Sequence, residues 1–290
     1  MAKAELVLDC RNTHGEGVLW NAEDGRLWWT DIHGRKLWWL DPVSGKSLSI
    51  DMPDRVCCFA PRAGGGLLVA FAQELALFDP ATGKIDSFYG FEPGNPNTRL
   101  NDGRTDRDGN FVAGGMNEVT EAADSSVIRV MPDLRVETIL QGVSCANSTC
   151  FAPDGRTMYF ADTPERTIRA YAYDPKVPTL GAPRLVLDMR GEPGPPDGSC
   201  VDAEGYVWNA EWMGHRVIRV APDGAIDTIV EVPVEKPTCC AFGGPDLDTL
   251  YITTSRLGSS AERIAEEPTC GGLYAMKPGV KGLVDAPFAG

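Results

Sequence analysis

Long apolar runs and an excess of basic residues are both missing from this chain. The N-terminal stretch MAKAELVLDC lacks the apolar core of a secretion signal. The most apolar segment, residues 67–78, is too short to cross a bilayer and contains Gln73 and Glu74. Lys and Arg total 27 against 41 Asp and Glu, for a net charge of -14. We therefore expect a cytoplasmic protein that binds neither nucleic acid nor a membrane.

Cysteine and histidine spacings of the metal-binding or catalytic kind are also missing. The chain has nine cysteines but no CxxC and no Cys/His zinc spacing, which indicates free buried thiols in a reducing cytosol. It has no GxSxG motif, and its histidines, His14, His33 and His215, form no triad pattern with a serine. A serine hydrolase is therefore not expected, and His14 is the histidine of interest because it adjoins the Glu16 motif discussed below.

What the chain does contain is a repeat of roughly 40 to 50 residues, the length of a propeller blade. Its marker is an acidic residue followed by glycine in a turn, with two degenerate versions at 63–66 and 244–248. A short aromatic or β-branched segment and an alternating segment follow each turn. The clear turns are Asp24-Gly25, Asp108-Gly109, Asp154-Gly155 and Glu204-Gly205.

The repeat predicts an all-β fold, a six-bladed β-propeller with four antiparallel strands per blade. We expect residues 1–290 to form a single propeller domain, because no composition break or linker divides them. Ring closure would pair AELVLDC near the N-terminus with the last hairpin near Leu273 to Met276. Only residues 259–268 could form a short helix.

An oxygen-bearing side chain recurs seven residues before the turn in four of the six units, counting from Glu23 in the first. The innermost strand of each blade lines the central channel, so these side chains would converge at one end of it. Hard oxygen donors of this kind suit a divalent cation. Asn and Asp also favour strand ends for local hydrogen bonding, which leaves a purely structural ring as the alternative. The four are Glu16, Asn101, Asn147 and Asp197, whereas the remaining units offer Val56 or Cys57, and Cys239.

Five motifs in order resemble the senescence-marker protein/gluconolactonase family over residues 10 to 277. They are GEGVLW (15–20), RLNDGRTDRDGNFVAGGM (99–116), ANSTCFAPDG (146–155), DGSCVDAEGYVW (197–208) and KPTCCAFGG (236–244). Within the family the chain is most similar to bacterial lactonases of pentonolactones, such as xylonolactonases. The resemblance implies a metal-dependent hydrolase that opens an aldonolactone to the aldonic acid. We expect D-xylonolactone, an intermediate of pentose oxidation, as its substrate.

The resemblance also implies roles for individual residues. The metal ligands of the family fall on Glu16, Asn147 and Asp197, and its substrate-contacting residues fall on Arg99, Asn101 and Glu118. We expect Asp197 to accept the proton of the attacking water as well. The family's second acid after Glu118 is replaced by Val119, which puts the hydroxyl pattern of the substrate in question. Oxygen donors do not select among Ca²⁺, Zn²⁺, Mn²⁺, Mg²⁺ and Fe²⁺.

Two other functions are compatible with a propeller that binds one metal ion. One is a phosphotriesterase or aryl esterase, and the other is a non-catalytic metal-binding scaffold. Arg99 and Asn101 favour a polyhydroxylated ligand over the apolar substrates of a phosphotriesterase or aryl esterase.

We expect the protein to be a monomer. Of the tryptophans, the pairs 28–29 and 38–39 are expected in the core, whereas Trp20, Trp208 or Trp212 could form a wall of the substrate pocket.

Overall fold

The repeat folds as six small antiparallel sheets in the computed structural model, which describes residues 2–290. Two short N-terminal strands precede the blades, and the first five blades contain four consecutive strands each. The strands are Ala2–Lys3 (β1) and Glu5–Leu8 (β2); Gly15–Asn21 (β3), Arg26–Asp31 (β4), Lys36–Leu40 (β5) and Ser47–Asp51 (β6); Val56–Pro61 (β7), Leu67–Phe71 (β8), Glu74–Asp79 (β9) and Lys84–Gly90 (β10); Thr98–Thr105 (β11), Phe111–Asn117 (β12), Ser125–Val130 (β13) and Val136–Val143 (β14); Ala146–Phe151 (β15), Thr157–Asp162 (β16), Thr167–Ala172 (β17) and Pro183–Asp188 (β18); Pro196–Val201 (β19), Val207–Glu211 (β20), Arg216–Val220 (β21) and Ile226–Glu231 (β22); Pro237–Gly243 (β23), Thr249–Thr254 (β24) and Leu273–Met276 (β25).

The innermost strands form a closed ring, in which β3, β7, β11, β15, β19 and β23 each contact the next and β23 contacts β3. The sixth blade is completed by the N-terminal strand β2, which pairs antiparallel with β25 and sets Leu6 opposite Tyr274. The structure therefore confirms the predicted six-bladed propeller and its closure. The pairing of β1 with β22, parallel and in the fifth blade, was not predicted.

The turns that marked the repeat connect the first and second strands of their blades. Their glycines have positive φ, 67° at Gly25, 83° at Gly109, 68° at Gly155 and 85° at Gly205. A side chain at such a position would be strained, so the repeat keeps glycine there. This backbone requirement explains why the turn was the most visible part of the repeat.

Apolar side chains fill the space between neighbouring blades. Trp28 and Trp29 are buried in the core as expected. Trp29 stacks on Trp38 at 5.7 Å between ring centroids, but Trp38 and Trp39 are only half-buried. All nine cysteines are free thiols. The predicted short helix is Ala261–Glu266 (α1), whose first turn is capped by the Ser260 hydroxyl, and a single 3-10 turn spans Thr163–Glu165. Within residues 2–290 no helix is long and apolar enough to cross a membrane.

Each of the six inner strands has a register shift near the oxygen-bearing position. The shifts lie between Glu16/Leu19, Val56/Cys58, Leu100/Gly103, Asn147/Cys150, Pro196/Ser199 and Pro237/Cys239. A bulge changes the direction of the side chains beside it, so the six strands present these positions together at one end of the channel.

Pairing across the bulges selects between the two candidate residues of the second blade and corrects the sequence alignment in the sixth. Val56 pairs with Phe71 as Leu100 pairs with Gly115, so Cys57 and not Val56 corresponds to Asn101. In the sixth blade Pro237, which pairs with Thr254, is the last paired residue before the bulge. Thr238, and not Cys239, therefore corresponds to Asn101. Counting back seven residues from the turn gave the wrong residue in the sixth blade, because the degenerate turn at 244–248 replaces the regular acidic-glycine pair.

The C-terminal segment 277–290 closes the opposite end of the channel. Its backbone donates from Gly282 to Leu247, from Phe288 to Pro61 and from Ala289 to Gly109, so it touches the second, third and sixth blades. The Phe288 ring is fully buried. The bulges lie at the end of the channel that this segment does not cover.

Candidate functional site

The three expected metal ligands lie on β3, β15 and β19 at the end of the channel where the bulges lie. Asn147 and Asp197 are 5% and 6% exposed, and the Glu16 side chain is 13% exposed. The orientation of the Asn147 amide follows from its partners, because its Nδ2 donates to Thr163 Oγ1 at 2.8 Å. The Thr163 hydroxyl in turn donates to the Pro196 carbonyl at 3.0 Å. The Oδ1 atom of Asn147 is thereby left facing away from Thr163, where it accepts a long hydrogen bond from Asn101 Nδ2 at 3.4 Å and keeps a second lone pair for a ligand.

The two carboxylates of this site repel each other in a buried setting. Burial, followed by the charge of Asp102, raises the pKa of Glu16 to about 8, although the Gly17 N–H and Arg99 act in the opposite direction. Burial, followed by the charges of Glu16 and Asp102, raises the pKa of Asp197 well above its ordinary value. A positive charge between Glu16 and Asp197 would relieve both effects.

The residues present fit a divalent cation that accepts oxygen ligands. Within residues 2–290 neither Glu16 nor Asp197 forms an ion pair with a lysine or arginine, and the nearest imidazole nitrogen, Nε2 of His14, is 4.0 Å from Glu16 Oε1. No three His, Cys, Asp or Glu side chains of the described chain gather as a metal cluster. The ligand set therefore needs the amide oxygen of Asn147 as its third member.

The three expected substrate-contacting residues form one hydrogen-bonded chain beside this site. Arg99 Nη1 donates to Asn101 Oδ1 at 2.7 Å, and Arg99 Nε donates to Glu118 Oε2 at 2.8 Å. Asn101 Nδ2 donates to the Ala146 carbonyl at 2.9 Å and lies 3.4 Å from Asn147 Oδ1. Asn101 thus connects the substrate-contacting set with the ligand set.

Arg55 is a member of this group that the sequence analysis missed. It donates to both oxygens of Glu118, at 2.8 and 3.0 Å, so one carboxylate holds two guanidinium groups. Burial acts to raise the pKa of Glu118, but the Arg55 hydrogen bonds and the charge of Arg99 lower it overall. Val119, in the place of the family's second acid, is 66% exposed and makes no polar side-chain contact. The sequence carried no repeat or motif around Arg55 that could have identified it.

A second group of side chains lines the mouth near the junction of the first, fifth and sixth blades. The His14 ring lies edge-on to Trp212 at 5.6 Å and 5.7 Å from the ring of His33. Lys236 Nζ lies 5.5 Å from the centre of the Trp212 ring. Trp212 is therefore the tryptophan near the site, whereas Trp208 is fully buried and its indole N–H donates to Asp202.

The serines near the site support its backbone. Ser148 Oγ donates to the Asp197 carbonyl at 2.8 Å, and Ser199 Oγ donates to Ser148 Oγ at 3.1 Å. Asn209 Nδ2 donates to Ser148, Ser199 and the Asp197 carbonyl. Neither hydroxyl contacts a histidine, so the expectation that no serine nucleophile operates agrees with their contacts.

Several known proteins are similar to this chain in sequence or in structure. The sequence profile of the SMP-30/Gluconolactonase/LRE-like region matches residues 14–256. The L-arabinolactonase of Azospirillum brasilense is 38% identical, over 99% of this chain and 96% of that protein. The 6-deoxy-6-sulfogluconolactonase of Pseudomonas putida is 35% identical, over 95% of each. The solved structure of a calcium-binding protein, regucalcin from Agrobacterium tumefaciens, matches with a TM-score of 0.93 at 31% identity, over 99% of this chain and 97% of that one.

Proposed function

Because this chain belongs to the SMP-30/gluconolactonase/LRE-like family, we propose that it is a sugar-lactone hydrolase that depends on one divalent cation. The observation that carries the proposal is the buried pair of Glu16 and Asp197, which has no cationic side-chain partner in residues 2–290 and lies beside the amide of Asn147. Such a pair is unfavourable by itself and becomes favourable around a cation. Two relatives with lactonase names, similar along nearly their whole length, support the hydrolase activity.

The cation would be held by Glu16, Asn147 and Asp197. When bound, it supplies Lewis-acid polarisation of the lactone carbonyl and a lower pKa for a water molecule. The calcium-binding regucalcin structure supports a divalent ion of this kind, without selecting among Ca²⁺, Zn²⁺, Mn²⁺, Mg²⁺ and Fe²⁺.

Side chains of the protein supply the base and the contacts that orient the substrate. Asp197 accepts the proton of the attacking water as the base, because its carboxylate is buried and receives no side-chain hydrogen bond within residues 2–290. Arg99 and Asn101 orient the sugar by donating to its oxygens. Glu118 holds Arg99 in place and can accept from a hydroxyl. The water oxygen adds to the carbonyl carbon, and the ring C–O bond then breaks. The proton taken up by Asp197 passes to the departing ring oxygen, and the product is an aldonic acid.

The specific substrate we propose is D-xylonolactone. Support comes from the family membership and from the narrow polar group formed by Arg99, Asn101 and Glu118, which suits a small polyhydroxylated ring. L-arabinonolactone is the alternative that the name of the first relative suggests, and gluconolactone is the parent sugar lactone of the sulfonated compound in the name of the second.

Hydrolysis of these three lactones, followed with a pH indicator, tests the proposal. We expect opening well above the spontaneous rate, fastest for D-xylonolactone, and loss of that acceleration in Asp197→Asn. The matched control is Asp133→Asn, an exposed aspartate far from the channel, which should keep the full rate. A rate equal to the spontaneous one for all three lactones, with a cation demonstrably bound, would instead identify a binding scaffold.

The remaining expectations from the sequence also stand as proposals. These are a single domain over residues 1–290, a monomer, a cytoplasmic location, and no nucleic acid or membrane partner. Light scattering after size-exclusion chromatography tests the monomer, with a mass near the 31.3 kDa of one chain as the expected result. A mass near twice that value would replace the monomer with a dimer.

A further inference from the structure

One polar atom at the channel mouth has no partner among the described residues, the Nε2 nitrogen of His14. His14 is 8% exposed, and the one hydrogen bond of its ring is made through Nδ1. The Oε1 atom of Glu16 lies 4.0 Å from Nε2, which is beyond hydrogen-bond range. The residue as a whole is nearly buried while Nε2 itself keeps contact with solvent, so this nitrogen is accessible to a ligand that enters the mouth.

The hydrogen bonds of Ser255 determine which ring nitrogen of His14 carries the proton. Ser255 Oγ lies 3.0 Å from the Thr13 carbonyl and 2.9 Å from His14 Nδ1, and it accepts from the Leu257 N–H at 3.0 Å. The Thr13 carbonyl can only accept, and it also accepts from the Arg256 N–H at 3.2 Å. When the Ser255 hydroxyl gives its hydrogen to Thr13, His14 Nδ1 donates to Ser255 and Nε2 keeps a bare lone pair.

The backbone holds this imidazole rigidly. The His14 N–H donates to Asp31 Oδ1 at 2.9 Å, and the His14 carbonyl accepts from the Ile32 N–H at 3.0 Å. The next residue, Gly15, lies so close to the sixth blade that an added Cβ would sit 2.8 Å from the Thr254 carbonyl. The His14 lone pair is therefore preorganised, which lowers the entropic cost of binding a ligand.

The surroundings of His14 indicate what the lone pair can bind. The ring lies 5.7 Å from that of His33 and packs edge-on against Trp212, whose ring centre lies 5.5 Å from Lys236 Nζ. These neighbours offer mainly donors, and Glu118 already accepts from two arginines. Glu118 keeps room to accept from one ligand hydroxyl, and the oxygens of Glu16 and Asp197 are assigned to the cation, so a further hydroxyl hydrogen needs another acceptor. His14 supplies such an acceptor.

We propose that His14 is a substrate-binding residue whose Nε2 accepts a hydrogen bond from one hydroxyl of the sugar lactone. Ser255 is the positioning residue that holds the imidazole in the tautomer this requires. The inference rests on the proposed lactone hydrolysis for the identity of the ligand. The tautomer of His14 and its free lone pair do not depend on that proposed activity.

The tautomer is tested without any activity measurement. The chain has three histidines, so a long-range ¹H–¹⁵N spectrum of the labelled, metal-free protein contains three ring systems. His14→Gln and His215→Asn assign them by subtraction. We expect a bare Nε2 and a protonated Nδ1 for His14, and a shift toward the other tautomer in Ser255→Ala. A protonated Nε2 on His14 in the wild-type protein overturns the proposal.

The hydroxyl contact is tested with two His14 variants and a set of monodeoxy lactones. His14→Leu removes the acceptor, whereas His14→Gln keeps an amide oxygen near the position of Nε2. With the parent lactone we expect kcat/KM to fall roughly tenfold in His14→Leu and less in His14→Gln. With the one deoxy lactone that lacks the contacted hydroxyl, wild type and His14→Leu should differ less than twofold. An equal loss with every deoxy lactone, or no loss at all, contradicts the contact.

Cation affinity separates this role from direct metal ligation. Calorimetric titration of the metal-free His14→Gln protein with Mn²⁺ and Ca²⁺ should reproduce the wild-type affinity within a few fold. A large loss of affinity would make His14 a metal ligand and overturn the substrate contact. If the wild-type protein opens no lactone although the tautomer is as expected, the proposed function fails while the assignment of the lone pair stands.

Discussion

Glu16→Gln should abolish activity and yet stabilise the metal-free protein. Glu16 is one of two buried carboxylates that repel each other when no cation is bound. Glutamine has nearly the same shape and carries no charge, so the change removes the repulsion and retains the packing. A residue kept for folding alone would behave in the opposite way, because its replacement would cost stability.

The magnitude follows from the pKa of Glu16, which burial and Asp102 raise from 4.5 to about 8. At pH 7 the unfolded chain ionises this group, whereas the folded metal-free chain keeps it largely protonated. The gap between a pKa of 4.5 and pH 7 then corresponds to about 3 kcal/mol of lost unfolding free energy, at ~1.4 kcal/mol per pH unit.

The sign of the pH dependence is determined by the same shift. Between pH 4.5 and about 8 the folded metal-free state binds more protons at Glu16 than the unfolded state does. The unfolding free energy therefore falls as the pH rises through this window, and it levels off above the folded pKa. In Glu16→Gln the part of this fall that is due to Glu16 should be absent, while the part due to the raised pKa of Asp197 remains. The two proteins should therefore be similar near pH 4.5 and diverge toward pH 8.

Urea unfolding in the presence of a chelator, followed by tryptophan fluorescence from pH 4.5 to 8, measures this difference. The matched control is Glu23→Gln at an exposed turn position, which should follow the wild type at every pH. The reasoning would be refuted if the wild-type stability were flat or rising across the window, or if Glu16→Gln were the less stable protein at pH 7.

Three further substitutions extend the test to other parts of the site. Asp197→Asn should lower kcat by roughly 10²–10⁴-fold, the usual contribution of a general base, while circular dichroism shows an intact fold. Glu118→Gln should raise KM and lower kcat/KM roughly tenfold in steady-state kinetics, because two arginines lose a charged partner. Gly15→Ala should cost about 1–3 kcal/mol in urea unfolding, since its Cβ would sit 2.8 Å from the Thr254 carbonyl, whereas Gly94→Ala meets nothing within 4 Å and should be neutral. A fully active Asp197→Asn, an unchanged KM in Glu118→Gln, or equal stabilities of the two alanine variants would contradict these expectations.

The blade count was predictable from the sequence because the turn glycines must adopt positive φ. Those residues cannot drift without strain, so the period stays visible while the strands between them vary. The same period identified Glu16, Asn101, Asn147 and Asp197, since a fixed distance from the turn is a fixed height in the channel. In the sixth blade the turn is degenerate, so counting back from it gave Cys239, and strand pairing across the bulge was needed to identify Thr238.

The contacts that complete the site could not be predicted, because they join residues that are distant in the chain. Arg55 and Glu118 are 63 positions apart and meet across two blades. His14 and Ser255 are 241 positions apart and meet only because the ring closes between the first and sixth blades. No local pattern marks either pair. Family membership, in contrast, was readable from five motifs and is confirmed by the profile match over residues 14–256.

The most direct test of a metal-dependent lactonase is a titration of metal-free protein with each divalent cation in which binding and D-xylonolactone opening are measured on the same samples. We predict that at least one cation binds with a stoichiometry of one per chain and that the rate rises in proportion to the bound fraction, from the spontaneous rate to full activity. Full activity in chelated protein, or saturation by a cation with no rise above the spontaneous rate, would contradict the account.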